Sequence, residues 1–356
     1  MKKTLNKTKI ADFATYIGVV SAFIVMNALM NEGLLTRSMK GQLVPICCYI
    51  VMAISLNLTV GILGELSLGH AGFMSVGAFT GIVTAMSLQS AIPSDGVRLA
   101  LAIVMGAIFA GIAGTLVGIP VLRLHGDYLA IVTLAFGEII KELINCLIIG
   151  HDENGLHIIF NATGAKTVTD LGLTETGKVL IKGAQGATGT DTIASFTAGF
   201  ILIMVTLVVV LNLVRSRSGR AIMALRDNRI AAESVGINVT KYKLMAFVTS
   251  AALAGGAGAL YGLNFSNLVS SKFDFNTSIL ILVFVVLGGL GNMWGSIIAA
   301  AVLTVLPEAL RGFADYRMLI YAIVLIVVML ATNSPQMKAL LSKLVPFGKK
   351  GEKEHA

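Results

Sequence analysis

Apolar runs of about twenty residues, each long enough to cross a bilayer, recur along this chain and limit its fold more than any other feature. In lipid every backbone N–H and C=O must find its partner within the protein, so such runs fold as helices. Composition agrees: 356 residues, 56% hydrophobic and only 13% charged, where a soluble domain carries about 25% charged residues. The chain reads as an all-α polytopic membrane protein embedded in lipid. A net charge of +8 would point to nucleic acid in a soluble protein. Here the cations gather at the N-terminus, in one central stretch and in the C-terminal tail, so topology accounts for them and no nucleic-acid partner is implied. Cys47, Cys48 and Cys146 lie in apolar runs without metal spacing and read as small core residues.

Read in order, the first span is Phe13–Asn31, preceded by a lysine-rich start at 1–12. It is longer than a signal core and no A-x-A site closes it, so it is expected to be retained. A second span covers Leu43–Leu63, and Leu56–Leu88 is studded with glycines. Spans follow near Val97–Ile119, Tyr128–Ile149, Ala194–Val214 and Leu244–Leu263. The segment 150–193, rich in Gly, Thr and Asp and without clear periodicity, is expected to be an extracytoplasmic loop. Ile279–Leu306 is too long for one span and too short for two, so it is predicted to be two short helices turning at Gly288–Asn292. A last span, Met318–Thr332, then returns the basic tail 336–356 to the inside. The expectation is a single transmembrane domain, 13–335, of about ten spanning or partly spanning helices, with both termini cytoplasmic. Gly77/Gly81, Gly114/Gly118, Gly258/Gly262 and Gly291/Gly295 are each spaced four apart, a pattern that lets helices approach closely in lipid.

No enzyme constellation survives inspection. Gly172–Val179 comes near a phosphate-binding loop, but Val179 stands where Ser or Thr should hold a cation and no apolar strand leads in. The five histidines show no metal spacing, and His70 reads as a packed or wall residue. Lone charges in apolar runs say more, because one at the bilayer centre costs about 2.5–3.5 kcal/mol on insertion scales. Glu138 and Glu142 are expected to pair through Lys141 at the cytoplasmic end of their span. Glu65, flanked by Gly61, Gly64, Gly69 and Gly72, is a candidate for a solute pathway.

The polar stretch 215–243 carries Arg215, Arg217, Arg220, Arg226, Arg229, Lys241 and Lys243 against Asp227 and Glu233. The positive-inside rule holds it in the cytoplasm. Arg229 and Glu233 stand four apart and Gly236 is a fitting stop, so it is predicted to form a short amphipathic helix, a surface for another protein to grip.

Four motifs, LNLTVGILGELSLGHAGFMSVGA, RLHGDYLAIVTLAFGEIIKELI, SRSGRAIMALRDNRIAAESVGINVTKYKLMAFVTSA and VLGGLGNMWGSIIAA, occur in this order. Together they resemble the permease subunit of branched-chain amino-acid ABC importers, the M-type of two paralogous permeases, in register over about Leu43–Thr332. The resemblance implies a type II ABC importer-like fold in a bacterial or archaeal plasma membrane. It implies no ATPase in this chain. Two cytoplasmic ATPase subunits would bind ATP and Mg, beside a paralogous permease or a second copy and an extracytoplasmic solute-binding protein.

It also gives the basic stretch a role in ATPase coupling. Ala231, Ala232 and Gly236 match the coupling sequence of importer permeases, with Ile230 where the family usually has Glu, and Arg220, Arg226 and Arg229 flank them. A small face would sink into a cleft while Arg226 and Arg229 pair with acids at its rim. The expected translocation pathway comprises Asn57, Glu65, Ser67, Gly69, His70, Gly72 and Phe73 with Gly289, Gly291 and Asn292. The 150–193 loop either contacts the binding protein or is a surface loop. Related permeases move urea, short amides or sugars, so cargo stays open. An ion-coupled secondary transporter is the rival class, but it calls for intramembrane acids in both halves.

Overall fold

The computed structural model describes residues 2–33, 36–124, 126–152, 155–161, 171–172 and 177–310, with helical positions 319, 322, 323 and 326. Two compact units divide the chain, Met1–Ala301 and Val302–Ala356. The candidate site lies in the first.

Helices α1 (Lys2–Asn31) and α2 (Arg37–Asn57) open the chain, and α2 runs on into a π-turn, Leu58–Leu63. α3 (His70–Ser87), α4 (Asp95–Val121) and α5 (Asp127–Asn145) follow. Strands β1 (Leu147–Asp152), β2 (Gly155–Phe160), β3 (Lys178–Lys182) and β4 (Ala187–Thr188) lead to α6 (Phe196–Arg215). Then come α7 (Arg217–Asp227), α8 (Arg229–Ser234), α9 (Val239–Gly262), β5 (Asn267–Leu268), α10 (Phe275–Gly288) and α11 (Met293–Ala309). Among the described residues four helices are long and apolar enough to cross a bilayer: Arg37–Leu63, α4, α6 and α9. Thr15–Asn31, α10 and Met293–Glu308 are shorter apolar helices.

The expected spans are helical, and the break at 288–292 divides α10 from α11 as predicted. The last expected span, Met318–Thr332, falls outside the described residues apart from positions 319, 322, 323 and 326.

Two expectations fail. The fifth span does not reach Ile149: its helix ends at Asn145, whose side chain accepts from Ser270 Oγ, and Leu147–Ile149 belongs to a strand. A short apolar run carries no helix-or-strand signature of its own. The segment 150–193 is not a plain loop either, since it supplies most of a five-stranded antiparallel sheet in the order β2-β1-β3-β4-β5. β2 exposes Leu156, Ile158 and Phe160 on one face and carries Ile159 on the other. Apolar residues on both faces leave no alternation to read. The phosphate-loop look-alike is also resolved: Lys178 and Val179 open β3, whereas a phosphate loop must lead into a helix N-terminus.

α3, α4 and α9 form the tightest packing in the bundle, and small residues make it. A Cβ on Gly77 would fall on the backbone of Gly255, one on Gly81 would come within 2.6 Å of Ala259 Cβ, and one on Gly114 would meet Ala251. Gly258 lies against the Met74 carbonyl and Gly262 against that of Ala78. Three of the four spaced pairs therefore do the work expected in lipid, where dispersion at close range replaces hydrophobic drive, whereas Gly291 lies in the α10–α11 turn and Gly295 meets Gly288 across it. At the start of α4 the buried Arg98 ion-pairs with Asp95 and lies 3.4 Å from Asp191.

Candidate functional site

Two broken segments meet in the first unit. α2 gives way to the π-turn, which stops at Gly64 in a left-handed conformation (φ +80°). π-turns within helices frequently mark functional positions. Between α10 and α11 the chain turns through Gly289 and Gly291, both at positive φ (+91° and +81°). Asn57 joins the two breaks. Its Nδ2 donates to Ser296 Oγ at 2.9 Å, and its Oδ1 accepts from Gly291 N at 2.8 Å. Asn57 and Ser296 are fully buried, so these bonds satisfy polar groups that would otherwise be costly. A Cβ on Gly61 would strike both the Asn57 side chain and Gly291 N. Asn292 holds the start of α11, accepting from Gly295 N at 3.3 Å through Oδ1 and from Ser296 Oγ at 3.1 Å through its carbonyl.

Beyond the π-turn, Glu65 forms an ion pair with Lys243 of α9, and both side chains are largely buried. Glu65 is thus neutralised in place. Gly69 and Gly72 allow α3 and its lead-in to pack on α5, against the Thr133 carbonyl and Gly137 Cα. Ser67 is buried and its hydroxyl has no hydrogen-bond partner. His70 faces α2: Ser55 gives its proton to the Met52 carbonyl, so Ser55 Oγ accepts from His70 Nε2–H at 2.8 Å. Phe73 stacks edge-on against Phe247 of α9. The ten residues singled out in the sequence therefore fall into two groups. Asn57, Gly289, Gly291 and Asn292 form a junction between the broken helices, while Ser67, Gly69, His70, Gly72 and Phe73 are packed among α2, α3, α5 and α9. Glu65 lies between the groups.

The basic stretch differs from the single helix expected. α7 and α8 are separate, because Asn228 leaves the helical conformation and caps α8, its Oδ1 accepting from Ala231 N at 3.0 Å. Gly236 does end α8, at φ +84°. The Ala231–Ala232 pair does not present one small face. Ala232 packs inward with Leu225 and Val239, and only Ala231 is exposed. Arg226 is not free at a rim either. Its Nη1 donates to the Gly61 carbonyl at 2.7 Å, and its stem lies against Gly64. Arg220 donates to the Arg215 carbonyl at 3.2 Å. Arg229 and Glu233 form no ion pair among the described residues. What the outer face of α8 does show is Ile230, 81% exposed, and Val235, 75% exposed.

Lys141 pairs with Glu138 and stands 3.8 Å from Glu142, as expected. These charges occupy the last turns of α5, where it runs into β1, and so lie beside the sheet rather than beside the basic helices.

The sequence reading missed Gly61, Ser296 and the role of Lys243. Lys243 had a signal: it is the last cation before the apolar run of α9, and Glu65 is an isolated charge of opposite sign in apolar surroundings.

Apolar spans packed through glycine, with two broken helices joined by buried polar bonds, define a helical membrane permease. Residues 38–330 match the family described as branched-chain amino acid transport system / permease component, and the chain belongs to it. It is 35% identical over 288 residues to the high-affinity branched-chain amino acid transport system permease protein LivM of Escherichia coli (strain K12), covering 79% of this chain and 66% of that protein. Identity to LivM of Salmonella typhimurium is 34% over 292 residues, with the same shares covered. To the LivH permease of the latter organism it falls to 22% over 289 residues, 79% of this chain and 88% of that one. The match thus spans about two thirds of the length of the two LivM relatives. No solved structure matches.

Proposed function

We propose that the chain is the permease subunit of an ATP-driven importer of branched-chain aliphatic amino acids, working by alternating access. Two ABC ATPases would bind and hydrolyse ATP with Mg, a paralogous permease of the LivH kind or a second copy would complete the membrane part, and a solute-binding protein would deliver cargo outside. The chain would have ten spanning or partly spanning helices in the plasma membrane of a bacterium or archaeon, with both ends and α7–α8 in the cytoplasm and the sheet outside. Asn57, Gly289, Gly291 and Asn292 would hinge the path, and Glu65, Ser67, Gly69, His70, Gly72 and Phe73 would line or support it.

The observation that carries this reading is the outer face of α7–α8. Ile230 of α8 and Val235 just after it project from a helix pair that also carries Arg217, Arg220 and Arg229. Exposed apolar anchors ringed by cations suit a partner with an apolar cleft and an acidic rim. Ile230, the departure from the family's usual Glu, becomes the anchor itself. The ion-coupled rival is weaker, because both Glu65 and Glu138 are ion-paired with lysines.

The test is uptake by the assembled complex in proteoliposomes. Labelled leucine should enter only with ATP and binding protein, and collapsing proton and sodium gradients should change nothing. Uptake by the lone chain driven by an ion gradient would overturn the reading. A second expected result concerns Gly236. Valine at φ +84° is strained whatever space surrounds it, at about 1–3 kcal/mol. Gly236→Val should therefore displace α8, leaving insertion intact but abolishing the stimulation of ATP hydrolysis by loaded binding protein; a normal response would show that the α8 ending does not matter.

A further inference from the structure

Two of the contacts that hold the basic helix pair, beside the buried Ile222, differ in kind. Leu225 and Ala232 pack on Val239 of α9, an apolar contact that can slide. The other contact is polar and directional, and it goes to the broken helix. Arg226, in the last turn of α7, donates from Nη1 to the Gly61 carbonyl at 2.7 Å. The π-turn stops at Leu63, so the Gly61 carbonyl is among the end carbonyls that no further helical turn can reach. Arg226 supplies the missing donor through a guanidinium that offers only donors.

Two backbone stretches, the end of the π-turn and the α10–α11 turn, meet beside the Arg226 side chain. A Cβ on Gly64 would come within 2.6 Å of Arg226 Cγ, one on Gly61 would fall on Gly291 N, and one on Gly291 would lie 4.0 Å from Arg226 Nη1. Glycine at all three positions lets the π-turn and the α10–α11 turn touch directly, with only the Arg226 side chain between them and α7. The Lys243–Glu65 pair lies beside this point but belongs to α9 and the lead-in to α3, so it does not move with α7.

We propose that Arg226 is the positioning residue through which displacement of the α7–α8 pair reaches the translocation path. With α7 in place, the guanidinium fixes the Gly61 carbonyl and thereby the seat of Gly291 on the π-turn. When a partner draws α7 away, the carbonyl loses its donor and the α10–α11 turn is released from the π-turn. Arg226 thus spans from α7 to the path, its Nη1 on the Gly61 carbonyl while its half-exposed side chain also brings Nε within 3.6 Å of Asp227. The inference rests on the importer reading above.

The experiment uses the whole complex in proteoliposomes with Arg226→Gln, which keeps length and hydrogen bonding but removes the charge, and Arg226→Lys, which keeps charge but loses the fork. Both should assemble with the ATPases in wild-type proportion and hydrolyse ATP at near the wild-type basal rate. Leucine taken up per ATP should fall about tenfold in R226Q, the scale set by loss of one charge-assisted bond, with R226K between. Arg226→Met, which retains a stem against Gly64, should show the same split if R226Q does not accumulate. Unchanged uptake per ATP in fully assembled R226Q or R226M would overturn the proposal. So would loss of ATPases from the purified variant, which would make Arg226 a docking residue and leave the importer reading standing. A wild-type complex that hydrolyses no ATP would instead sink the importer reading.

Discussion

Lys243→Met should lose more stability than any other single change around the π-turn, and removing Glu65 as well should restore most of it. The Lys243 side chain is 5% exposed and that of Glu65 is 16% exposed. Taking away one member of a buried pair leaves the other charged with no partner, which costs about 3–5 kcal/mol. Replacing both with apolar residues of similar size removes the charge along with its desolvation penalty and is often neutral or stabilising. The measurement is thermal denaturation of the detergent-purified chain as Lys243→Met, Glu65→Met and the double variant. Both singles should fall well below wild type, and the double should return close to it. If the two single losses simply add, the charges do not depend on one another and the pair is incidental. Uptake gives an independent reading. A double variant that is stable yet inactive would place the pair in the working cycle, whereas a stable and active one would confine it to holding the fold.

How much of this was legible follows from where each signal sits. Spans, breaks and glycine pairs were readable because lipid imposes length and close approach on the residues themselves: Gly288–Asn292 had to break a run too long for one helix. The sheet was hidden because Leu156, Ile158 and Ile159 offer apolar groups on both faces and no period. The basic stretch was legible as a helical surface but not in its orientation. Nothing local says that Arg226 points inward to Gly61, 165 positions away, or that Ala232 rather than Ala231 is covered. Glu65 stood out as a lone charge in an apolar run and Asn57 came with the expected pathway, yet their partners Lys243 and Ser296 came from distant segments, which only the fold brings together. Motif resemblance assigned the arginines of the basic stretch to a partner, whereas Arg220 and Arg226 donate to carbonyls of this chain, those of Arg215 and Gly61.

The second large effect lies in the α3–α4–α9 packing, and it separates glycines that are needed from those that merely occur. A side chain at Gly77 would fall on the backbone of Gly255, and one at Gly255 would meet Ala110 Cβ and the Gly106 carbonyl. Overpacking a core costs about 1–3 kcal/mol where neighbouring side chains can yield. Backbone cannot yield in that way, so the helices themselves must part, and the dispersion gained by close approach is lost along the whole seam. Gly77→Leu and Gly255→Leu should each prevent accumulation of a folded chain, seen as loss of the monodisperse peak in detergent. Gly41 and Gly96 sit in α2 and α4 with nothing within 4 Å of a Cβ. Gly41→Ala and Gly96→Ala should therefore be neutral or mildly stabilising, since alanine is favoured over glycine in a helix by about 1 kcal/mol. Should Gly77→Leu and Gly41→Ala behave alike, close backbone contact would not be what holds these three helices together, and the polar junction at Asn57 would have to supply the specificity instead.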